Sequence, residues 1–129
     1  MIEIKSTIFA IIFTILFVTF AVYNSDKVNS FTSEFDEQII AIEAEIEADN
    51  WEDANKKAVS AYEYWNANKR RWYLTLDHGP FESVSTYLEV LQRATALEDK
   101  LSAFEQSELV RGQMRAIRGN VNFELDYIL

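Results

Sequence analysis

Residues 6–23 form a stretch of eighteen positions without a charged side chain. An α-helix rises about 1.5 Å per residue, so this stretch is about 27 Å long, close to the ~30 Å thickness of a bilayer's hydrocarbon core. We therefore predict a transmembrane helix at residues 6–23 that contacts the lipid bilayer and follows a short N-terminal tail, residues 1–5. The rest of the chain, residues 24–129, is expected to fold outside the hydrocarbon core.

Two other interpretations of residues 6–23 stay open. A cleaved signal peptide normally has a basic start and a small-x-small cleavage site, whereas here Glu3 offsets Lys5 and residues 20–24 offer no such site. A buried core helix in so small a domain is rarely apolar on all sides over its whole length. We favour an uncleaved signal-anchor helix.

The orientation of this helix is not decided by flanking charge, because Lys5 on one side matches Lys27 on the other. Only five residues precede the apolar segment, and a lone signal-anchor commonly exports the domain on its C-terminal side. We therefore expect a single-pass membrane protein whose domain lies on the extracytoplasmic face.

The net charge of −9 lies on residues 24–129, because Glu3 and Lys5 cancel. An acidic domain is repelled by nucleic acid and by anionic lipid headgroups, so a nucleic-acid partner is excluded. The chain has no cysteine, which excludes disulfides, thiolate catalysis and zinc–thiolate sites.

The hydrophobic pattern of residues 24–129 is helical. The three tryptophans, Trp51, Trp65 and Trp72, fall on one side of a single helix, separated by alanines that let a neighbouring helix come close. Three further segments also repeat apolar residues at steps of three and four. We predict an all-α fold, with a single N-terminal transmembrane helix followed by an antiparallel bundle of about four helices. The predicted core positions are Val28, Phe31, Phe35, Ile39, Ile42 and Ile46; Ala54, Ala58 and Ala61; Phe81, Val84, Tyr87, Leu88, Leu91, Ala94 and Leu97; and Leu101, Phe104, Val110, Met114, Ile117, Val121, Leu125 and Ile128.

Polar residues ahead of the apolar rows predict where the bundle helices begin. Ser30 or Ser33 is expected to cap the first bundle helix. Asp49 or Asn50 is expected to cap the second, and Asp99 the fourth.

Five residues predict interruptions or contacts within the helices. Gly79 is expected to end the second helix, and Pro80 suits the first turn of the third. Gly112 and Gly119 predict a bend or a close helix contact in the fourth helix. A polar residue in the tryptophan stripe, Asn68, is expected to fix register or bind a neighbouring helix.

Charged residues cluster in two places. Between residues 34 and 53 there are nine acids and no base, and a pair one turn apart, Glu43 and Glu47, suggests a cation-binding surface as one interpretation. We favour a solvent-exposed face balanced by bases on the next helix. A basic row on the fourth helix is likewise expected to pair with acids on the first or third helix rather than bind an anion. The bases concerned are Lys56, Lys57, Lys69, Arg70 and Arg71 on the second helix and Arg111, Arg115 and Arg118 on the fourth.

A candidate interaction surface lies on the second helix, away from the tryptophan stripe. Its tyrosines are expected to be exposed beside a short basic cluster, a combination that suits a protein partner. The residues are Tyr62, Tyr64, Lys69, Arg70, Arg71 and Tyr73.

The junction before the third helix holds the only histidine, His78, next to Asp77 and one turn before Glu82. We treat these residues as a candidate functional corner, although a structural role for His78 is favoured because no partner residues of a catalytic or metal motif accompany it. No catalytic, metal-binding or cofactor-binding residue is assigned.

The chain combines an N-terminal anchor, an acidic amphipathic helix, a helix start at residues 50–52, a second tryptophan at Trp65 and an Asp77–His78 corner. Together these features resemble a small family of Gram-positive bacterial membrane-anchored proteins known only as a domain of unknown function. The resemblance covers nearly the whole chain and implies a topology without an activity. Members tend to follow the histidine with acidic residues, where this chain has Gly79 and Pro80, which weakens any shared metal or acid role at this corner. The residues that carry the resemblance are Asn50, Trp51, Glu52, Ala54, Trp65, Asp77 and His78.

The sequence favours a non-enzymatic interaction module anchored to a membrane, serving as an accessory subunit or scaffold beside a membrane-protein partner. An alternative is an extracytoplasmic ligand-sensing domain that signals through a membrane partner, with a pocket beside the tryptophans. A third hypothesis, a hydrolase or metal enzyme, would use Asp77, His78, Glu82 and Glu89, and it is the least favoured because catalytic motifs are missing.

Overall fold

The structure is a computed structural model that describes residues 2–73 and 78–128. For Ile2, Tyr73, His78, Pro80, Ile128 and residues 123–125 it describes the backbone alone. Within these ranges the chain forms four α-helices and no strand: α1 (Ile2–Glu47), α2 (Trp51–Tyr73), α3 (His78–Ala96) and α4 (Lys100–Ile128). The all-α prediction is confirmed.

The longest helix, α1, contains both the apolar segment and the first helix of the bundle in 46 residues. The prediction that a separate bundle helix begins at Ser30 or Ser33 is wrong, because both serines lie inside α1. The physical reason is that the chain's three glycines and one proline all follow residue 78. Nothing between residues 6 and 47 disfavours helix strongly enough to break it.

The four helices form an up-down-up-down bundle in which each packs on the next and α4 closes against α1. Side-chain contacts fix this antiparallel arrangement at two levels. Asn29 Nδ2 donates to Asn122 Oδ1 at 3.1 Å. Near the other end, Lys100 Nζ lies 3.2 Å from Asp49 Oδ1. We call the end next to the apolar segment the proximal end, and the opposite end, which holds residues 48–50 and 97–99, the distal end.

The bundle core consists of the apolar rows that the sequence predicts on all four helices. Packing begins on α1 with Ser25, which is 2% exposed, directly after the apolar segment. The buried apolar residues are Val28, Phe31, Phe35, Ile39, Ile42, Ile46, Ala54, Ala58, Ala61, Trp65, Trp72, Phe81, Val84, Leu88, Leu91, Ala94, Ala103, Val110, Met114, Ile117 and Val121.

An aromatic cluster around Trp65 joins three helices. The Trp65 ring centroid lies 5.0 Å from that of Phe35 on α1 and 5.2 Å from that of Phe81 on α3. The Phe31 ring, one turn before Phe35, contacts the rings of both Trp65 and Trp72. The Trp65 indole Nε1 also donates to the carbonyl oxygen of Phe81 at 3.4 Å. Trp65 is therefore fixed by ring packing and by one hydrogen bond.

Two predicted core positions are wrong. Leu97 is 72% exposed and Leu101 is 71% exposed, at the distal end of the bundle. The core row of α4 instead starts at Ala103 and continues through the buried Ser107 to Val110. The sequence did not reveal this row because alanine and serine give a weak hydrophobic signal. Leu125 and Ile128 are two further predicted core residues whose side chains lie outside the described part of the chain.

The predicted interruptions in the helices are also corrected. Helix α4 continues through Gly112 and Gly119. A Cβ built at Gly119 would meet nothing within 4 Å, and one built at Gly112 would meet only Arg115 of the same helix, so a close helix contact explains neither glycine. Gly79 lies in the first turn of α3, together with Pro80, rather than at the end of α2. The Asn68 amide donates to the carbonyl oxygen of Tyr64 in its own helix at 2.8 Å instead of binding a neighbouring helix.

The two distal turns share one backbone design. Asp49 and Glu98 both have a φ of 58°. In each turn the next residue's N–H donates to a carbonyl five residues earlier, from Asn50 to Glu45 and from Asp99 to Ala94, as in a Schellman C-cap. The Asp99 carboxylate then accepts the N–H of Ser102 at 3.2 Å, which confirms Asp99 as the N-cap of α4.

Replacing Trp65 with alanine should lower the free energy of unfolding by about 3–5 kcal/mol, because the fully buried indole leaves a cavity among three helices. Chemical denaturation of the full chain in detergent micelles, followed by helical circular dichroism, measures this loss. Trp51→Ala is the matched control, since Trp51 is only half-buried. Equal losses in the two variants would contradict the central role of Trp65.

Candidate functional site

The apolar segment is uncovered along its whole length. The side chains of Phe9, Phe13, Phe17 and Phe20 are between 51% and 74% exposed. None of the most apolar 18-residue stretch of α1 is buried against the rest of the protein. This exposure excludes the interpretation of residues 6–23 as a buried core helix. By length and composition, α1 can cross a membrane near the N-terminus, and a signal sequence would meet the same criteria.

The tyrosines of the candidate interaction surface are less accessible than predicted. Tyr62 and Tyr64 are both half-buried. The Tyr62 hydroxyl donates to Glu89 Oε1 on α3 at 2.9 Å. The Tyr64 ring stacks on Phe31 at a centroid distance of 5.8 Å, as an edge of the aromatic cluster. The expectation that these two tyrosines are exposed is wrong, and the side chain of Tyr73 lies outside the described residues.

The basic cluster of α2 does not balance the acidic face of α1. Arg70 and Arg71 are exposed and form no ion pair with any residue that the structure describes. Because α1 and α2 are antiparallel, the acidic face lies near the start of α2, whereas these arginines lie at its end. The expected pairing is confirmed for Lys57, whose Nζ lies 2.9 Å from Glu45 Oε1. Lys56 pairs instead with Glu52 on its own helix.

The candidate corner is only partly described. Asp77 lies outside the described residues, and His78 is described only as the first backbone position of α3. The Glu82 side chain is exposed. Among the side chains that the structure does describe, no three His, Cys, Asp or Glu residues converge in a way that could hold a metal ion.

A cluster of charged groups between α1 and α4 centres on Arg111. Its Nε lies 3.1 Å from Asp36 Oδ1, and one of its terminal nitrogens, Nη1, lies 3.6 Å from Glu43 Oε1 and 3.3 Å from Glu108 Oε1. The side chains of Arg111, Asp36 and Glu43 are between 17% and 26% exposed. The predicted pairing of Arg111 with acids of the first helix is confirmed. One guanidinium therefore faces three carboxylates in a partly desolvated groove.

The electrostatics of this cluster favour a bound proton. Burial, followed by a hydrogen bond with Glu108 and repulsion from its charge, raises the pKa of Glu43 to about 7, and Arg111 only partly opposes this. Burial alone would lower the pKa of Arg111, but Asp36, Glu43 and Glu108 together raise it. Glu43 can therefore hold a proton, hydrogen-bonded to Glu108, beside the Arg111 guanidinium.

An open groove lies between α2 and α3 in the distal half of the bundle. It has a volume of about 430 Å³, and its polar edge includes the hydrogen-bonded pair of Tyr62 and Glu89. Within the lining, Asn55 Nδ2 donates to the carbonyl oxygen of Gln92 at 3.0 Å and to Thr95 Oγ1 at 3.1 Å. These hydrogen bonds connect α2 to α3 beside the polar side chains of the groove. The lining residues are Asn55, Tyr62, Glu89, Gln92, Arg93 and Ala96.

A known protein family matches residues 22–128, which make up most of the chain, and its description is Domain of unknown function (DUF4363). The chain belongs to this family. The DUF4363 match begins at the end of the apolar segment and covers the bundle. No curated protein and no solved structure matches the chain.

Replacing Glu43 with glutamine should change how stability depends on pH. The ordinary pKa of a glutamate is 4.5, and in the folded protein that of Glu43 is about 7. The folded state therefore binds more protons between these values, and stability falls as the pH rises through this window. Glu43→Gln should flatten this fall and raise the midpoint of thermal unfolding most above pH ~7. The measurement is thermal unfolding across a pH series.

Glu105→Gln provides the control for this series, since Glu105 is exposed on α4 and is absent from the Arg111 cluster. Identical pH profiles for the Glu43→Gln variant and the unmodified protein would refute the binding of a proton by Glu43.

Proposed function

We propose that the protein is a membrane-anchored, non-enzymatic interaction module, with its bundle on the extracytoplasmic face as an accessory subunit or scaffold of a membrane-associated complex. The observation that carries this proposal is the complete exposure of the apolar segment on a helix that continues into the bundle. So large an apolar surface is stable only when lipid or another protein covers it. Its length fits a bilayer's hydrocarbon core.

The organisation of the bundle supports binding in preference to chemistry. The described core is filled by apolar and aromatic side chains, and the charged cluster at Arg111 is used to hold α1 against α4. At the distal end, two leucines, Leu97 and Leu101, keep over two thirds of their surface exposed beside the turn between α3 and α4. Exposed leucines on a rigid turn are suited to contact a protein partner.

The alternative, a ligand-sensing domain that works through a membrane partner, is supported by the groove between α2 and α3. Its concave shape and hydrogen-bonding rim are features of small-molecule sites. The groove is open to solvent and lies between α2, the helix that carries the tryptophans, and its neighbour α3.

The absence of cysteine allows a direct test of the orientation of the chain. We expect Ser60→Cys, at an exposed position of α2, to react with a membrane-impermeant maleimide added to intact cells. Glu3→Cys, on the other side of the apolar segment, should react only after the membrane is opened. The reverse labelling pattern would place the bundle in the cytoplasm. Release of the chain from the membrane by an alkaline wash would refute the anchor.

Crosslinking in the native membrane tests the interaction module. We expect the full-length chain to capture a membrane protein in fixed ratio, and the double variant Leu97→Ser/Leu101→Ser to lose most of this capture. Ile40→Ser/Leu109→Ser is the matched control, because it also removes two exposed apolar side chains, on α1 and α4. Failure to capture any membrane protein, with a chain that stays monomeric, would contradict the interaction module and also a sensor that works through a membrane partner.

A further inference from the structure

A cavity of about 330 Å³ lies where the apolar segment meets the bundle. One wall is the last turn of the apolar segment and the first turn of the bundle part of α1. The opposite wall is the end of α2. The lining residues are Phe20, Tyr23, Asn24, Lys27, Arg71 and Trp72. The cavity therefore combines aromatic rings with two cationic side chains from two different helices.

The two cations of this cavity are available to a ligand. Lys27 and Arg71 are exposed, and neither forms an ion pair with a residue that the structure describes. The ammonium group of Lys27 lies 5.3 Å from the centre of the Tyr23 ring, which holds the charge at the mouth of the cavity. Asp26, the nearest acid in sequence, does not line the cavity. Two positive charges therefore face the same space.

The distribution of charge over the bundle strengthens this local field. On α1 and the turn that follows it, the acids concentrate in residues 36–49, toward the distal end, where there is no base. On α2, Glu52 and Asp53 lie at the distal start, while Arg70 and Arg71 lie at the proximal end. The negative net charge of the chain is thus largely remote from the cavity, and salt screens charges separated by more than about 8–10 Å. An anion can approach the proximal end despite the net charge of −9.

The position of the cavity along α1 indicates which anion it would meet. The uncharged stretch ends at Tyr23, so with this stretch in a bilayer the cavity opens at the level of the lipid headgroups. Tyrosine and tryptophan concentrate at this level of membrane proteins, as Tyr23 and Trp72 do here. Phe20, one turn deeper, provides an apolar floor at the level where acyl chains begin.

We propose that this cavity binds the phosphate group of an anionic phospholipid in the leaflet next to the bundle. Lys27 and Arg71 bind the phosphate by charge-assisted hydrogen bonds, while Phe20 and Tyr23 contact the glycerol and upper acyl chain. A zwitterionic headgroup is disfavoured because Lys27 and Arg71 would repel its cationic group. The inference rests on the proposed membrane anchor.

The test uses the full-length protein in bilayer nanodiscs that contain equal amounts of phosphatidylglycerol and phosphatidylcholine. Native mass spectrometry then measures which lipid stays bound after release from the nanodisc. We expect the unmodified protein to retain phosphatidylglycerol selectively. Each basic residue near an anionic surface contributes about 1 kcal/mol, so K27Q and R71Q should each reduce retention about fivefold, and K27Q/R71Q about 25-fold.

The matched control is K56Q/R93Q, which removes one lysine and one arginine from exposed positions outside the cavity. Equal losses in both double variants, or equal retention of the two lipids by the unmodified protein, would overturn the proposal. Displacement of the lipid by inorganic phosphate at the same concentration would also overturn it, by identifying a site for free phosphate. The two single variants keep the test decisive if the double variant does not fold, which circular dichroism checks.

Liposomes that carry the full-length protein separate this inference from the proposed anchor. A chain that an alkaline wash removes from liposomes would refute both. A chain that stays in the bilayer but shows no preference for phosphatidylglycerol would refute only the lipid site.

Discussion

The packing of Trp65 against phenylalanines of α1 and α3 is the contact on which the bundle depends. Its neighbours toward the distal end of α2 are alanines, which let α1 and α3 approach that part of α2 closely. The indole needs more room, and rings from both neighbouring helices, Phe35 and Phe81, supply the surface that fills it. The register of three helices is thereby set at one level, and the smaller contacts along the bundle follow from it.

Much of this architecture could be predicted because hydrophobic spacing reports helix faces directly. The buried rows of α1 and α2 agree with the sequence prediction, and so does the N-cap at Asp99. The errors arise where the spacing of apolar residues does not distinguish between two structures. A serine near position 30 suits a cap and a helix interior alike, and the row through Ala103 and Ser107 is too weakly apolar to be recognised.

The candidate sites were harder to predict because they depend on which helices become neighbours. The tyrosines at positions 62 and 64 lie off the tryptophan stripe, yet α3 and α1 extend far enough around α2 to cover them. The crowding of Glu43 and Glu108 around Arg111 requires the antiparallel register of α1 and α4, which sequence spacing within one helix does not contain. Charge therefore stabilises helix pairing at the distal half and stays unpaired, among the described residues, on Lys27, Arg70 and Arg71 near the proximal end.

The unbroken course of α1 has a mechanical consequence. The part of α1 beyond Tyr23 is about 36 Å long, and no joint separates it from the apolar segment. If the apolar segment leans in a bilayer by about 20°, a common value for such helices, the distal end of the bundle swings sideways by about 12 Å. A change in bilayer thickness alters this lean. If residues 6–23 span a bilayer, the helix would thus act as a lever that converts small changes in membrane thickness into large displacements of the surface farthest from the membrane.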